Sequence, residues 1–143
     1  MYITQSDLST HIYAEVINEI TRTDSTIVTK AINTAIQETK MYLDRYDLAA
    51  LFGTDIAAPT VTDEYLKSIV KDITCWHLIR LANVNVDYNA YRNNYYDAIN
   101  ALKTIMNGGA NPQGWPYKDI SSETLTNGDA ITWTSHPKRE NYF

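Results

Sequence analysis

The side chains that could do acid–base or metal chemistry are few in this sequence and lie far apart. The three histidines are His11, His77 and His136. Catalytic metal sites draw on several histidine and carboxylate ligands held close together. Cys75, the only cysteine, lies two residues before His77, so on a helix the two side chains would point to different faces. We therefore expect a packed thiol and a histidine at the edge of the core, and no catalytic residue, metal site or cofactor.

Two other patterns with chemical potential also have simpler explanations. Asp44 and Asp47 lie three residues apart with Arg45 between them. Paired carboxylates can do acid–base work, but this pair is typical of a solvated helix face. Gly108-Gly109 follows a predicted helix instead of preceding one, which indicates a helix end and not a loop that cradles phosphate.

Tyrosine is unusually frequent, with 11 residues against two phenylalanines. Tyr88, Tyr91 and Tyr95 share one face of a predicted helix, whereas Tyr96 lies beside that face. A row of aromatic rings could stack nucleic-acid bases, but such platforms are interleaved with cations, and only Arg92 is present here. The pattern favours packing in the core or at a subunit interface, with Tyr96 as the better surface candidate.

The charge balance argues against nucleic-acid binding. The formal net charge is -5, and the largest basic cluster is the pair Lys138-Arg139. A groove that grips nucleic acid needs a basic footprint. The first residues lack a basic, then apolar, secretion signal, and no apolar run is long enough to span a membrane. We expect a protein made in a reducing cytoplasm, with no membrane partner.

Hydrophobic residues repeat at helical spacing in four segments. A short turn near Ser6–Thr10 leads to a first helix over residues 13–21. Asp24 and Ser25 cap a long second helix that ends by Gly53. Residues 54–61 form a loop.

Thr62 is predicted to cap the third helix, and the residues at positions 83–85 end it. Asp87 begins the fourth helix, which Gly108 stops. The apolar face of this last helix comprises Tyr88, Tyr91, Tyr95, Ala98, Ile99, Leu102 and Ile105. The sequence thus predicts an all-α fold, a four-helix bundle over residues 1–108.

Helical periodicity is absent from residues 109–143, which we predict to form an extended, irregular arm. The Asn127-Gly128 pair favours a short β-hairpin within it. Aromatic residues without a core of their own either cover the bundle or anchor another chain, and we expect the second. The candidate interface residues are Tyr96, Trp115, Tyr117, Trp133, Tyr142 and Phe143.

Several stretches resemble phage connector proteins, the Mu-type domain of unknown function and its head–tail adaptor relatives. Residues 1–8 are similar to the short start of those proteins. Ala35–Tyr46 resembles their second helix, which ends in a Tyr-Leu-x-x-Arg-Tyr-like pattern. Tyr95–Leu102 and the following helix end at Gly108 resemble their last core helix. The polar, basic stretch Ser135–Arg139 is similar to their tails.

The resemblance implies a structural role without catalysis. Relatives form rings of about twelve subunits between the portal protein and the tail. For this chain, the resemblance implies a connector ring at the head–tail junction of a virion, with a tail-completion protein as a further partner. DNA would pass through such a ring without specific binding, and a negatively charged lumen would repel its phosphates.

Two other functions remain open from the sequence. One is a small bacterial interaction module that holds a protein partner on a tyrosine-rich helical face. The other is an enzyme whose Asp, Tyr and His residues come together only in the fold. A monomer at all concentrations would favour the module, and a deep pocket with an unusually acidic or basic side chain would favour the enzyme.

Overall fold

The computed structural model describes residues 2–82 and 86–119, and these residues form an all-α fold, as predicted. A short 3-10 helix, Gln5–Thr10, precedes five α-helices. These are α1 (Ala14–Thr21), α2 (Ser25–Tyr42), α3 (Leu48–Phe52), α4 (Glu64–Ile79) and α5 (Tyr88–Met106). The predicted break at residues 83–85 and the predicted hairpin at Asn127-Gly128 lie outside the described residues.

Side-chain caps explain where most of these helices begin. The carboxylate of Asp24 accepts a hydrogen bond from Thr26 N–H at 2.9 Å, and that of Asp87 accepts from Ala90 N–H at 3.2 Å, so both predicted starts are confirmed. The predicted first residue of the helix that corresponds to α4 is off by one position. Asp63 caps α4 by accepting from Leu66 N–H at 2.9 Å, instead of Thr62.

The prediction of one long second helix ending at Gly53 is wrong. α2 ends at Tyr42, and a separate short helix, α3, begins at Leu48. Asp47 starts α3, because its carboxylate accepts hydrogen bonds from Ala49 N–H at 3.0 Å and from Ala50 N–H at 3.1 Å. The buried residues Leu43 and Tyr46 keep the helical spacing across the gap, so the periodic pattern hid the turn.

The core lies where α4 packs against α2 and α5. α4 contributes the largest share, with Leu66, Val70, Ile73 and Leu78 fully buried. The predicted apolar face of α5 is confirmed only in its second half, since Ala98, Ile99, Leu102 and Ile105 are buried. The corresponding side chains in the first half of α5 remain partly exposed. Among the described residues, no helix combines the length and the apolar character needed to cross a membrane.

Candidate interaction surface

The first half of α5 and the facing side of α4 carry a continuous group of aromatic rings. The Trp76 ring lies 4.9 Å from that of Tyr88 and 5.7 Å from that of Tyr95, centroid to centroid. Tyr96 continues the group at 5.8 Å from Tyr95, and the Arg92 guanidinium lies 5.7 Å from the Tyr96 ring centroid. These five residues are called the aromatic surface below.

Helical spacing places these side chains on one side of the molecule. Tyr88 and Tyr95 are two turns apart on α5, and Arg92 lies one turn before Tyr96. Tyr88 remains 47% exposed and Tyr96 50% exposed. Tyr96 thus lies at the surface, as expected, and its role in an interface remains a prediction.

Glu38 of α2 bonds one residue of the aromatic surface, Tyr95, and also lies beside His77. One carboxylate oxygen accepts a hydrogen bond from the Tyr95 hydroxyl at 2.7 Å, and the other lies 2.9 Å from His77 Nε2. The three partners come from α2, α4 and α5, so this group joins three helices. Burial raises the pKa of Tyr95, and the hydrogen bond to Glu38 raises it further. Tyr95 therefore stays protonated as the donor at neutral pH.

Sequence reasoning missed Glu38 and assigned His77 to the edge of the core. His77 does lie there, with its side chain 17% exposed. No periodic pattern identified Glu38, because its partners are 39 and 57 residues away. One local signal existed: Glu38 falls one turn before Tyr42, on the side of α2 next to its buried face.

The segment after α5 is held by a second group of contacts, which we call the C-terminal clasp. Arg45 donates through Nη2 to the Ile105 carbonyl at 2.7 Å and to Asn111 Oδ1 at 3.1 Å. Its backbone carbonyl accepts from Lys118 N–H at 3.0 Å, and Asp47 N–H donates to the Pro116 carbonyl at 2.9 Å. The clasp thus attaches residues 111–118 to the turn between α2 and α3.

Trp115 and Tyr117 complete the clasp around Tyr46. Trp115 meets the Tyr46 ring edge-on at 5.3 Å, while Tyr117 stacks on it at 5.2 Å. Trp115 Nε1 donates to Asp63 Oδ2 at 2.8 Å, so this aspartate serves both the cap of α4 and the clasp. Tyr46 is 2% exposed and Trp115 is 5% exposed.

These contacts correct the expectation that Trp115 is an exposed interface anchor. It covers its own bundle, because Tyr46 and Asp63 provide both an apolar wall and a hydrogen-bond acceptor for the indole. Tyr117, by contrast, remains 62% exposed and stays a candidate. The candidate residues Trp133, Tyr142 and Phe143 lie outside the described residues, and residues 109–119 of the predicted arm pack with the bundle.

The side chains considered for catalysis are placed as follows. Cys75 is buried, and burial raises the pKa of its thiol to about 12, so it carries no thiolate at neutral pH. Asp47 is a helix cap and does not pair with Asp44 on a helix face. Within residues 2–82 and 86–119, no three His, Cys, Asp or Glu side chains gather in a group that could hold a metal ion.

A second titratable pair lies between the 3-10 helix and α4. His11 Nε2 is 3.1 Å from Ser68 Oγ and 3.7 Å from Asp72 Oδ1, the latter too long for a hydrogen bond. Burial raises the pKa of Asp72 to about 6, and the nearby Asp97 carboxylate adds to the rise. Burial lowers the pKa of His11, and Lys71 lowers it further.

The Asp72→Asn variant should be more stable than the wild type at pH 8 by about 1 kcal/mol, because solvent screens part of the penalty on a carboxylate that is still 24% exposed. The folded-state pKa lies above the ordinary value of 3.8, so the ionised carboxylate destabilises the fold above pH 6. This penalty fades as the pH falls from 6 to 4. Urea unfolding at pH 4, 6 and 8 measures it, with Asp44→Asn as the exposed control. An advantage that is equal at pH 4 and pH 8 would contradict the prediction.

The described residues thus form a small all-α domain with an exposed group of aromatic rings on one side. The comparison with protein families then identifies the chain. It belongs to the bacteriophage Mu Gp36 family, whose model matches residues 2–114. No curated protein and no solved structure matches the chain. The family match confirms the predicted bacteriophage origin, and it spans every helix that the structure describes as well as the Arg45 side of the clasp.

Proposed function

We propose that this protein is a non-enzymatic subunit of a head–tail connector ring, which extends the DNA channel between the portal protein and the tail. The observation that carries the proposal is the family match to a bacteriophage protein across residues 2–114. The resemblance of Ala35–Tyr46 and of the last core helix to phage connector proteins supports the finer assignment. The protein would be made in the host cytoplasm and carried at the head–tail junction of the virion.

The aromatic surface gives this subunit a place to bind its neighbours. Tryptophan, tyrosine and arginine are the residue types that most often dominate the energy of protein–protein contacts. Tyr95 is held by its hydrogen bond to Glu38 and contacts the rings of Trp76 and Tyr96, so less side-chain entropy is lost when this group binds. A portal protein or a tail-completion protein is the partner that we assign to this surface.

Negative-stain electron microscopy of the concentrated protein tests the proposal. Closed rings are expected, together with a rise in average mass with concentration in light scattering. The Tyr96→Ala variant should keep its helical content, since Tyr96 is half exposed, while binding of the portal or tail partner weakens at least tenfold. Monomers at every concentration would contradict the ring.

We expect no binding to duplex DNA above that of a neutral control protein. The chain has 17 acidic residues against 12 basic ones, and sequence-independent binding to DNA rests on cations that displace counterions. A channel subunit of this charge would let DNA slide past. An electrophoretic shift assay at low salt is the demanding condition, because weak electrostatic binding is strongest there. A clear shift with micromolar protein would contradict a channel through which DNA passes without binding.

The aromatic surface alone also favours a second candidate function, a protein interaction module that acts without a ring. A monomeric protein that binds one partner through Tyr96 and Arg92 would fit that function. The two candidates differ in self-association, so the same light-scattering series separates them.

A further inference from the structure

An open groove lies between α2 and the loop that follows α3. Its volume is about 1010 Å³, at the upper end of the roughly 300–1,000 Å³ of pockets that hold ligands. α2 lines it over two turns, from Asn33 to Lys40, and the loop segment 53–59 lines it on the other side. α3 adds Leu48 and Phe52. A groove of this volume beside a helix suits a short stretch of peptide.

The α2 side of the groove carries two side-chain amides at a spacing that matches an extended peptide. Asn33 and Gln37 are both exposed and lie one turn apart, and no other described residue bonds either amide. A helix rises roughly 6 Å over four residues, while an extended chain advances roughly 6.6 Å over two. Because an amide both donates and accepts hydrogen bonds, the pair can bond the backbone of an extended peptide at every second residue.

The rest of the groove is largely apolar. Ile36 and Phe52 are 9% and 6% exposed, so they form its floor, whereas Ile56 on the loop is 99% exposed. Thr54 holds this loop in place, because its N–H donates to the Ala57 carbonyl at 2.8 Å and its Oγ1 accepts from Ala57 N–H at 3.0 Å. A peptide in the groove would therefore bury apolar surface without first having to order the loop.

Charge does not select what fills the groove. Among the described residues, the charged side chains that line it are Lys40 and Asp55, which have opposite signs. The Lys40 ammonium already lies 5.4 Å from the centroid of the Phe52 ring. Such a groove selects its occupant by backbone hydrogen bonds and by the pattern of apolar side chains.

This chain contains a segment with the matching pattern, Ile131-Thr132-Trp133-Thr134. In an extended chain, Ile131 and Trp133 would point to one side and the two threonines to the other. β-branched and aromatic residues favour the extended conformation. The segment lies outside the described residues, so its alternation is a property of the sequence alone.

The last described contacts bring the chain close to the groove. Lys118 N–H donates to the Arg45 carbonyl at 3.0 Å, and Arg45 follows the groove residue Lys40 by five positions. The 12 residues from Asp119 to Ile131 span at most about 40 Å, which exceeds the length of roughly 27 Å for the 18 residues of α2. A segment on so short a tether has a local concentration in the millimolar range, so it meets the groove before another copy or a partner does.

We propose that residues 131–134 lie extended in the groove of their own copy. Ile131 and Trp133 pack on the apolar floor, and Asn33 and Gln37 bond the backbone of the segment. The contact needs no second subunit, so it goes beyond the proposed function and does not depend on a ring.

Cysteine cross-linking in the full chain tests the contact. A protein with both Gln37→Cys and Thr132→Cys is prepared with and without ¹⁵N label, and the two forms are mixed and oxidised. Mass spectrometry should find linked peptides that are both labelled or both unlabelled, because the two positions belong to one chain. The native Cys75 is buried and does not compete.

The matched control replaces Gln37→Cys with Thr34→Cys. Thr34 is equally classed as exposed on α2 but does not line the groove. The yield of the link to position 132 should be at least tenfold lower in this control.

A pair of substitutions in the cross-linking protein tests the alternation. Ile131→Asp places a charge against the apolar floor and should lower the yield at least tenfold. Thr134→Asp places the same charge on the opposite side of the extended segment and should leave the yield nearly unchanged. Far-UV circular dichroism should show the same helical content in both proteins.

Each outcome bears on the inference. A link within one chain that Ile131→Asp removes and Thr134→Asp preserves supports it. Links only between labelled and unlabelled chains would assign the groove to a second copy, and a yield equal to that of the Thr34→Cys control would leave the groove open to a partner. Either result overturns the inference, as do equal losses from the two aspartates. Ring formation in electron microscopy is a separate result, so the connector function can stand or fall independently.

Discussion

Replacement of Trp115 with alanine should lower the free energy of unfolding by about 3–5 kcal/mol. The indole is 5% exposed, covers the Tyr46 ring and donates to Asp63. Its loss would leave a cavity over a buried tyrosine and remove one hydrogen bond to a carboxylate that also caps α4. Urea unfolding followed by far-UV circular dichroism measures the change. For a domain of this size it is a large part of the total stability.

One variant separates burial from hydrogen bonding at Trp115, and a second serves as an exposed control. Trp115→Phe keeps an aromatic ring but loses the indole N–H, so it should cost less than alanine. Tyr65→Ala removes an aromatic side chain that is 63% exposed on α4 and should change stability by less than about 0.5 kcal/mol. A Trp115→Ala protein as stable as the Tyr65→Ala protein would show that the clasp does not hold the fold together. The same result would return Trp115 to the group of interface anchors.

The Leu102→Ala variant should lose about 2–5 kcal/mol of stability. Leu102 is fully buried at the centre of the packed half of α5, where the surrounding side chains of α4 leave little room for collapse into the cavity. Chemical denaturation gives the value. Ile99→Ala, with 7% exposure, should lie at the lower end of the same range.

Lys103→Ala is the matched control for that loss. It follows Leu102 on the same helix but is exposed, and alanine is an excellent helix former, so the change should be within about 0.5 kcal/mol. Equal losses for Leu102→Ala and Lys103→Ala would mean that the buried face of α5 is placed wrongly.

Local patterns were sufficient to predict most of the helices. Asp24 and Asp87 mark helix starts because a carboxylate bonds N–H groups two or three residues later. The buried residues of α5 were recognised because their spacing follows the helix repeat. Such signals depend on residues within one or two turns, and a single sequence contains all of them.

Contacts between distant residues could not be predicted in this way. The turn between α2 and α3 is bonded by Pro116 and Lys118, which contact the backbone of Asp47 and Arg45 from some 70 residues later in the chain. The Glu38 group likewise needs Tyr95 and His77 from two other helices. For Trp115, the composition of the last segment indicated a need for burial but not which surface would provide it.

The clasp also determines when the turn after α2 can complete its contacts during translation. Tyr46 is covered by Trp115 and Tyr117, so its ring stays open to solvent while the intervening residues are translated. At about 5–20 residues per second this interval is on the order of 4–14 s, followed by the time for the segment to leave the exit tunnel. The nascent helices can form earlier. The ring of Tyr46, in the turn after α2, becomes buried only when nearly the whole described chain has emerged. Any contact that needs the covered Tyr46 ring would therefore form only after this segment has emerged.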